Sequence, residues 1–408
     1  MSKIVLSLFL LTAASLTASD GLRAKQQMND CTDAACDSCY APICPNCSGC
    51  SLVPSFNDLQ CNWGFSLDVE FLYWYAKEQQ VPIAEKARVR NVINDDGLFL
   101  IYLLPKDEIT MGSRWDPGVR AAIGYNSCCD GWDTYLLWTY VHNKKKKRES
   151  VRSPVDGNII ENHADGTTLL ISPWDYYYPR FTFEDEAPIY TKVSGEWRLD
   201  YNVVDLELGK KYWLSECFNL RPFAAVRGVW SEIIFDVTNI IDFQTDPDLG
   251  TKITFNNWIW GVGLVGGLEP TWYFCRCYAI YAGFDVALLW GEDRVRRKER
   301  LGGLDFPPTR TILIPSYEST SRIDGMQAGI DLSLGLRYED TFCCHRYRFT
   351  IDLGWEHHAL LNYVHKFKVA GVENHIDSTS IERFFTDFDW MENDLALGGL
   401  VFRLRFDF

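Results

Sequence analysis

The chain has 408 residues, of which 47% are hydrophobic and 14% aromatic, and its 40 Lys+Arg against 55 Asp+Glu give a formal net charge of −15. This much apolar surface excludes a chain that is disordered throughout, and the negative charge argues against nucleic acid as a partner because phosphate would be repelled. No uncharged apolar run reaches the ~20 residues of a membrane-spanning helix. Two classes of protein therefore remain: a secreted globular protein, and a membrane protein that crosses the bilayer with strands.

Residues 1–19 predict a cleaved secretory signal peptide. Lys3 provides the positive start, residues 4–11 form an apolar core too short for an anchor, and small residues lead to a cleavage site after Ala18 or Ser19. The protein is therefore expected to be exported, so that its cysteines meet an oxidising compartment.

Residues 20–61 form a cysteine-rich segment that we expect to be periplasmic. Its cysteines follow the spacing C-x4-C-x2-C-x4-C-x2-C-x2-C before a seventh: Cys31, Cys36, Cys39, Cys44, Cys47, Cys50 and Cys61. Zinc bound by C-x2-C pairs is the alternative, but export favours disulfides and no histidine lies nearby. Because the number is odd, at least one cysteine must bond outside the segment, either to the rest of the chain or to another molecule.

From residue 62 onward, apolar and polar residues alternate, which is the signature of strands with two different faces. Leu67, Val69 and Phe71, for example, share one face, while Asp68 and Glu70 share the other. Ten such segments can be delimited: 63–75, 115–126, 131–142, 194–212, 217–230, 254–272, 278–290, 322–338, 346–358 and 394–408.

The connectors between these segments alternate in length. Short ones at 126–131, 215–217, 273–277 and 341–346 separate long ones at 76–114, 143–193, 231–253, 291–321 and 359–393. Outer-membrane barrels have short periplasmic turns and long external loops, whereas a soluble sandwich, the alternative, has no reason for this pattern. We therefore predict an all-β fold, a transmembrane antiparallel up-and-down β-barrel over residues 62–408 with about ten strands. Residues 88–93 and 98–103 are expected to form a hairpin, and strands hidden in long loops would raise the number to between about 12 and 16.

The last predicted strand carries the most specific signal. Phe402, Phe406 and Phe408 lie on one face with Leu400 and Leu404, and a terminal phenylalanine after alternating aromatics resembles the signal read by the outer-membrane insertion machinery. Trp and Tyr residues near segment ends suit the aromatic girdles of a barrel at the two lipid–water interfaces.

The polar faces of the predicted strands should line the lumen with both signs of charge. The candidate pore-lining residues are Asp68, Glu70, Arg120, Asp133, Arg198, Asp200, Arg221, Arg227, Asp285, Asp331, Arg337, Arg348, Asp352, Glu356, Arg403 and Arg405. A wet pore and a lumen closed by ion pairs fit this pattern equally well. We predict no enzyme, cofactor or metal site, because catalytic and nucleotide motifs are absent from the sequence and adjacent His357 and His358 would point to opposite faces of a strand.

The seven later cysteines map almost entirely to the predicted periplasmic end. Cys128 and Cys129 fall in the first short turn, Cys217 in the second, Cys275 and Cys277 in the third, and Cys343 and Cys344 in the fourth. Adjacent cysteines rarely bond to each other because so small a ring is strained. We therefore expect this layer to cross-link the barrel to its neighbours or to other envelope proteins.

Several stretches together resemble the MOMP-like pore-forming outer-membrane family, the Legionella-type group also abundant in Chlamydia-like bacteria. These stretches are FLYW at 71–74, WDPG at 115–118 running to GYN at 124–126, GWDTY at 131–135 with WTY at 138–140, LRPF at 220–223, GWEH at 354–357 and RFDF at 405–408. The resemblance covers residues 62–408. The resemblance implies a major outer-membrane protein with porin activity. The Chlamydia-like members of the family further imply an envelope that is held together by disulfides.

The sequence therefore predicts a bacterial outer-membrane protein that passes small hydrophilic solutes by passive diffusion. A structural or adhesive protein with a closed lumen, whose loops such as 143–193 contact other cells, is the alternative. The expected partners are outer-membrane lipid and lipopolysaccharide, the insertion machinery, further copies of the chain and disulfide-linked envelope proteins.

Overall fold

A computed structural model describes Leu59 and residues 64–79, 81–93, 99–127, 132–151, 168–174, 190–241, 249–301, 316–342, 346–376 and 382–408. The predicted signal peptide and nearly all of the cysteine-rich segment therefore lie outside the described residues. Within the described ranges, no helix is long and apolar enough to cross a membrane.

The described residues form strands along almost their whole length. In chain order these are β1 (Phe65–Glu78), β2 (Pro82–Ile93), β3 (Phe99–Thr110), β4 (Arg114–Asn126), β5 (Trp132–Ser150), β6 (Thr168–Ile171), β7 (Lys192–Lys210), β8 (Tyr212–Ser215), β9 (Phe218–Ile241), β10 (Leu249–Tyr273), β11 (Tyr278–Leu301), β12 (Ser316–Phe342), β13 (Tyr347–Ile376) and β14 (Glu382–Asp407).

Ten of these strands close into an antiparallel barrel. Their order is β10-β11-β12-β13-β14-β1-β4-β5-β7-β9, and β9 pairs with β10 to complete the circle. At the seam, the Phe65 amide donates to the Phe408 carbonyl at 3.1 Å and the Phe408 amide donates back at 2.9 Å. The prediction of a ten-strand barrel is confirmed, and each of the ten predicted segments coincides with one barrel strand.

The strands are longer than predicted because the faces exchange their polarity part of the way up the barrel. On the outer face of β11, exposed Leu288 and Trp290 are followed by Glu292 and Arg294, while buried Val295 points inward. A strand needs only about 9–11 residues to cross a bilayer, and β11 has 24. The upper part of the barrel therefore stands in water, where it is polar outside and apolar inside, whereas the lower part faces lipid.

This extension shortens the predicted external loops. Strand β9 continues to Ile241, so that Glu232 and Asp236, which the prediction placed in the long connector 231–253, lie on the outer face of a strand instead. Likewise β13 and β14 pair as far as Ile376 and Glu382, inside the region predicted to be the loop 359–393. On β9 the alternation persists in this stretch with the faces exchanged, whereas the β13–β14 ladder shifts register between Leu360 and Val364 and between Val369 and Gly371.

The predicted hairpin exists but does not join the barrel wall. Strands β2 and β3 pair over Pro82–Ile93 and Phe99–Thr110, and β6 pairs with the other edge of β2 to form a separate three-stranded sheet. We call this sheet, together with the Trp174 segment that follows β6, the plug. The barrel therefore keeps ten strands, and the extra strands anticipated in the loops belong to the plug.

Candidate functional site: the barrel lumen

The plug packs inside the upper lumen. The Trp174 indole Nε1 donates to the Pro82 carbonyl at 2.6 Å, and the Trp174 ring lies 5.5 Å from the Phe235 ring and 5.2 Å from the Phe255 ring. Ile83 is fully buried and approaches the backbone of Gly195 on β7 so closely that a side chain at that glycine would collide with it. Strands from the external connections thus occupy the space between opposite walls of the barrel.

The barrel wall contributes an apolar lining that surrounds the plug. The inward side chains that form one buried cluster with it come from β1, β5, β7, β9, β10, β11, β13 and β14, and include Trp74, Val141, Trp197, Leu199, Ile233, Phe235, Phe255, Leu289, Val295, Tyr363, Phe367 and Leu397. Interiors of this kind are packed as densely as organic crystals. In this conformation the described residues fill the upper lumen with hydrophobic core.

Buried polar groups are also built into this core: Arg297 contacts Glu299 at 2.8 Å, and two further clusters lie beside the hairpin. The carboxylate of Glu78 accepts hydrogen bonds from the Trp197 indole at 2.7 Å and the Asn393 amide at 2.9 Å, and it contacts the ammonium group of Lys366. Lys145 donates to the carbonyls of Ala76 at 3.2 Å and Gly112 at 2.9 Å. Both clusters lie where β1 leaves the barrel wall and β4 rejoins it, so they fix the two ends of the β2–β3 hairpin.

The lower lumen carries a network of charges instead. Arg120 reaches Glu70 on β1 at 2.7 Å and Glu356 on β13 at 2.9 Å. Arg403 contacts the same Glu70 at 2.5 Å and Asp352 at 3.4 Å. Because Glu70 is shared between Arg120 on β4 and Arg403 on β14, the network ties the four consecutive strands β13, β14, β1 and β4 together.

A second group of ion pairs joins Arg227 on β9 to β7, β12 and β13. Arg227 contacts Asp205 and Asp331, each at 2.8 Å, and Asp331 also contacts His358 at 2.8 Å. Lower down, Arg221 is held by Asp133 at 2.7 Å, with Glu207 and Glu269 within 3.2 Å. Charge-assisted bonds between guanidinium and carboxylate groups are strong and directional, so this layer is ordered rather than a loose ring of charges.

A cavity of about 200 Å³ remains between these two groups of ion pairs. It is lined by charged and polar side chains, including Glu70, Arg120, Asp205, Arg227, Asp285, Asp331 and Arg403, and by Tyr201 and Tyr281. A polar space of this size can hold several water molecules. The lumen is thus divided into a charged chamber below and an apolar closed region above.

Most of the predicted pore-lining residues point into this chamber. Those on the inner face are Asp68, Glu70, Arg120, Asp133, Arg221, Arg227, Asp285, Asp331, Arg337, Arg348, Asp352, Glu356, Arg403 and Arg405. His358 also faces inward, whereas His357 contacts Tyr75 on the other face at 3.2 Å. Among the described residues, no group of three or more His, Cys, Asp or Glu side chains is arranged to bind a metal ion.

The prediction is wrong for Arg198 and Asp200, which lie on the outer face of β7. Arg198 contacts Glu196 at 3.5 Å and Asp200 contacts His142 at 2.7 Å, while the intervening Leu199 is buried in the lumen core. The physical reason is that the two faces exchange their polarity above the lipid, where the outer face contacts water and carries the charged residues. For the same reason, sequence reasoning did not identify Glu78, Trp197, Lys366 and Arg297 as residues of the lumen. The signal that could have found the exchange is an interfacial tryptophan, Trp230 or Trp290, followed by charged residues on the outer face of the same strand.

The turns hold the described cysteines. Cys217 and Cys277 are disulfide-bonded, and Cys275 is a free thiol. The other candidates, Cys31, Cys36, Cys39, Cys44, Cys47, Cys50, Cys61, Cys128, Cys129, Cys343 and Cys344, lie outside the described residues. Phe402 is exposed on the lipid face, and the Phe408 ring packs in tilted geometry near Phe65 and Phe406, at ring distances of 6.4 and 5.8 Å.

Comparison with known protein families gives one match. The model described as "Legionella pneumophila major outer membrane protein precursor" matches residues 59–408, which is the whole barrel together with the plug. No curated protein matches the chain.

Several solved structures resemble the fold at low identity. The outer-membrane protease OmpT from Escherichia coli has a TM-score of 0.37 and 10% identity, covering 87% of this chain and 99% of its own. A FadL homologue from Pseudomonas aeruginosa has a TM-score of 0.23 and 8% identity, covering 84% and 89%. The outer-membrane-expressed OmpT of Vibrio cholerae has a TM-score of 0.16 and 7% identity, covering 86% and 100%.

Proposed function

The chain belongs to the family of the Legionella pneumophila major outer membrane protein, and from the outer-membrane barrel that it forms we propose a gated porin. In the closed state the plug fills the upper lumen, and small hydrophilic solutes diffuse through when the plug leaves it. The observation that carries this proposal is that the plug is a separate sheet. In this proposal the barrel carries out no reaction.

The separate sheet makes opening compatible with an intact barrel. Within the described residues, the β2–β3 hairpin pairs with β6 and not with a barrel strand, so it can move without breaking any ladder of the wall. The hairpin is held by buried apolar contacts such as that of Ile83 with β7, whose loss costs free energy. The closed state should therefore dominate, and openings should be infrequent.

The charged chamber supplies the polar path below the plug. Acids and arginines from several strands, such as Glu70 and Asp352 with Arg403, place both signs of charge around the cavity. Such a lining creates a transverse field that orders water and selects solutes by charge and dipole. We therefore propose that the chamber, rather than the plug, sets solute preference.

Recording from the refolded protein in planar bilayers tests the proposal. Wild-type protein should show long closed periods with brief stepwise openings, because the plug equilibrium favours the filled lumen. Folding is checked beforehand by heat-modifiable mobility on a gel. A large, continuously open conductance would contradict a plug that closes the lumen.

A structural barrel with a permanently closed lumen is the second candidate. It is favoured by the continuity of the apolar cluster, in which plug residues such as Ile83 and Trp174 pack with Phe235 and Phe255 as one core. Folded protein that stays silent in bilayers, even after the plug has been destabilised as described in the Discussion, would favour this function over the porin.

We further propose that periplasmic disulfides fix the barrel in the envelope. Cys217, Cys275 and Cys277 lie together at the end of the barrel with the short turns, and the free thiol of Cys275 is only half-buried. Secreted proteins form disulfides readily in oxidising compartments. A thiol at this end can therefore bond to a neighbouring copy or to another envelope protein.

Non-reducing electrophoresis of purified envelopes checks this tethering. The protein is expected to migrate as high-mass complexes without reductant and as a monomer with it. Cys275→Ser should shift part of the complexes to lower mass, while Ser194→Ala, a change on β7 at the other end of the barrel, should leave them unchanged. Migration as a monomer without reductant would rule the tether out.

A further inference from the structure

The outer wall carries a row of side chains directly above the lipid-facing band on β10, β11 and β12. Cross-strand register places Trp258 opposite Arg294, and Arg294 opposite Arg322. All three lie on the outer face, with 36% of Trp258, 45% of the Arg294 side chain and 65% of the Arg322 side chain exposed. We call these three residues the arginine row.

The height of the arginine row matches the headgroup layer of the outer leaflet. Trp290, Trp260 and Met326 are the last apolar residues of the band below, and each is more than half exposed. Tryptophans of this kind mark the boundary between hydrocarbon and headgroups. Arg294 follows Trp290 by four residues, or roughly 13 Å along the strand, which places its guanidinium among polar headgroups.

The row holds positive charge without enough protein anions to balance it. Arg294 and Arg322 face each other directly, an arrangement of like charges that destabilises a strand pair unless an anion lies between them. Among the described residues, Glu292 is the carboxylate within salt-bridge distance of both, at 3.2 Å from Arg294 and 4.0 Å from Arg322. One half-buried carboxylate thus serves two guanidinium groups, in a chain whose net charge is −15.

The neighbouring charges set the direction from which an anion can approach. Glu292 and Asp324 face each other in the row below, toward the bilayer. In the row above, Arg296 contacts Glu318 at 2.6 Å. An anionic group therefore fits at or just above Arg294 and Arg322, away from the two lower carboxylates.

We propose that the arginine row binds the phosphate group of an outer-leaflet lipid headgroup. Guanidinium groups recognise phosphate through paired, charge-assisted hydrogen bonds. The acyl chains of the same lipid would lie along the band below, against Trp260 and Trp290, and Trp258 would pack beside the headgroup. Both parts of one amphipathic molecule are thus accommodated on adjacent stretches of the same three strands.

Native mass spectrometry of the refolded full chain in detergent tests the proposal, with lipid A as the probe. Arg294→Gln combined with Arg322→Gln should weaken binding of phosphorylated lipid A roughly tenfold, since about 1.4 kcal/mol corresponds to a factor of ten. The matched control, Lys146→Gln with Arg198→Gln, removes two exposed outer-face charges from β5 and β7 and should change binding less than about twofold.

Two further arms separate the lipid from a free anion and from an unspecific charge effect. Lipid A without its phosphates should bind wild type and the arginine variant equally weakly, and inorganic phosphate alone should bind far more weakly than the lipid. Equal losses in the two double variants, full affinity for the dephosphorylated lipid, or tight binding of inorganic phosphate would each overturn the proposal. If the double variant fails the heat-modifiability check, Arg322→Gln alone, at the more exposed position, provides the same comparison.

Discussion

Replacing Ile83 with aspartate is expected to convert a barrel that is mostly closed into one that conducts steadily. Ile83 is fully buried and lies between the plug and β7, beside Gly195 and Met111, neither of which has a side-chain group that could pair with a new carboxylate. Burying an unpaired polar group costs about 3 kcal/mol or more. The balance between open and closed states should therefore shift roughly 100-fold toward open, because each 1.4 kcal/mol is a factor of ten.

Single-channel recording of open probability measures this shift directly. Ile83→Val is the matched control, since losing one methylene at a buried site costs only about 1 kcal/mol and leaves the plug apolar. The two variants should have the same mobility shift on heating, because both keep the barrel wall intact. An Ile83→Asp barrel that is folded but as silent as wild type would mean that the plug does not gate the lumen.

The barrel wall could be predicted from sequence because the lipid imposes a local rule. Where Phe71 or Leu288 faces hydrocarbon, its neighbours must face the lumen, so alternation alone locates the strand. The same rule located the charged chamber, since residues such as Glu70 and Arg403 occupy the alternate positions at that height. Ten strands and most of the chamber lining follow from this one physical constraint.

The upper lumen could not be predicted because alternation does not reveal which face is inside. In β7, Trp197 and Leu199 were placed toward lipid and Arg198 toward the lumen, yet that part of the strand stands above the bilayer and has the opposite polarity. The faces exchange their polarity at the height where a strand leaves the bilayer. The sequence of a single segment does not specify how far the strand extends beyond that height. The hairpin of the plug was predicted, but its position inside the lumen was not, because its sequence resembles that of any other pair of strands.

Which acid pairs with which arginine in the chamber also depends on the complete ring of strands rather than on any single segment. Arg120 and Glu356 are 236 residues apart, and their contact depends on the register of β1, β14 and β13 between them. Sequence reasoning therefore identified which residues face inward but not which acid meets which arginine. This distinction matters because contacts between strands that are not neighbours, such as that of Arg227 on β9 with Asp331 on β12, hold the chamber together.

Removing the carboxylate of Glu78 is expected to destabilise the barrel strongly. Glu78 accepts from Trp197 and Asn393 and contacts Lys366, which is completely buried. Glu78→Ala leaves the Lys366 ammonium without this counter-charge inside an apolar core, and breaking a buried pair in this way typically costs about 3–5 kcal/mol. Urea unfolding in lipid vesicles should show a correspondingly lower free energy of unfolding.

The double variant Glu78→Leu, Lys366→Met separates the lost pairing from a general loss of packing. Because it removes both charges and keeps apolar volume, it should recover at least about 2 kcal/mol relative to Glu78→Ala, as replaced buried ion pairs often do. Glu232→Ala, which removes an outer-face carboxylate bonded to Asn256 at 2.9 Å, is the control and should cost less than about 1 kcal/mol. If the double variant were no more stable than Glu78→Ala, the buried charge of Lys366 would not be the source of the loss, and the Glu78 side chain would act through Trp197 and Asn393 alone.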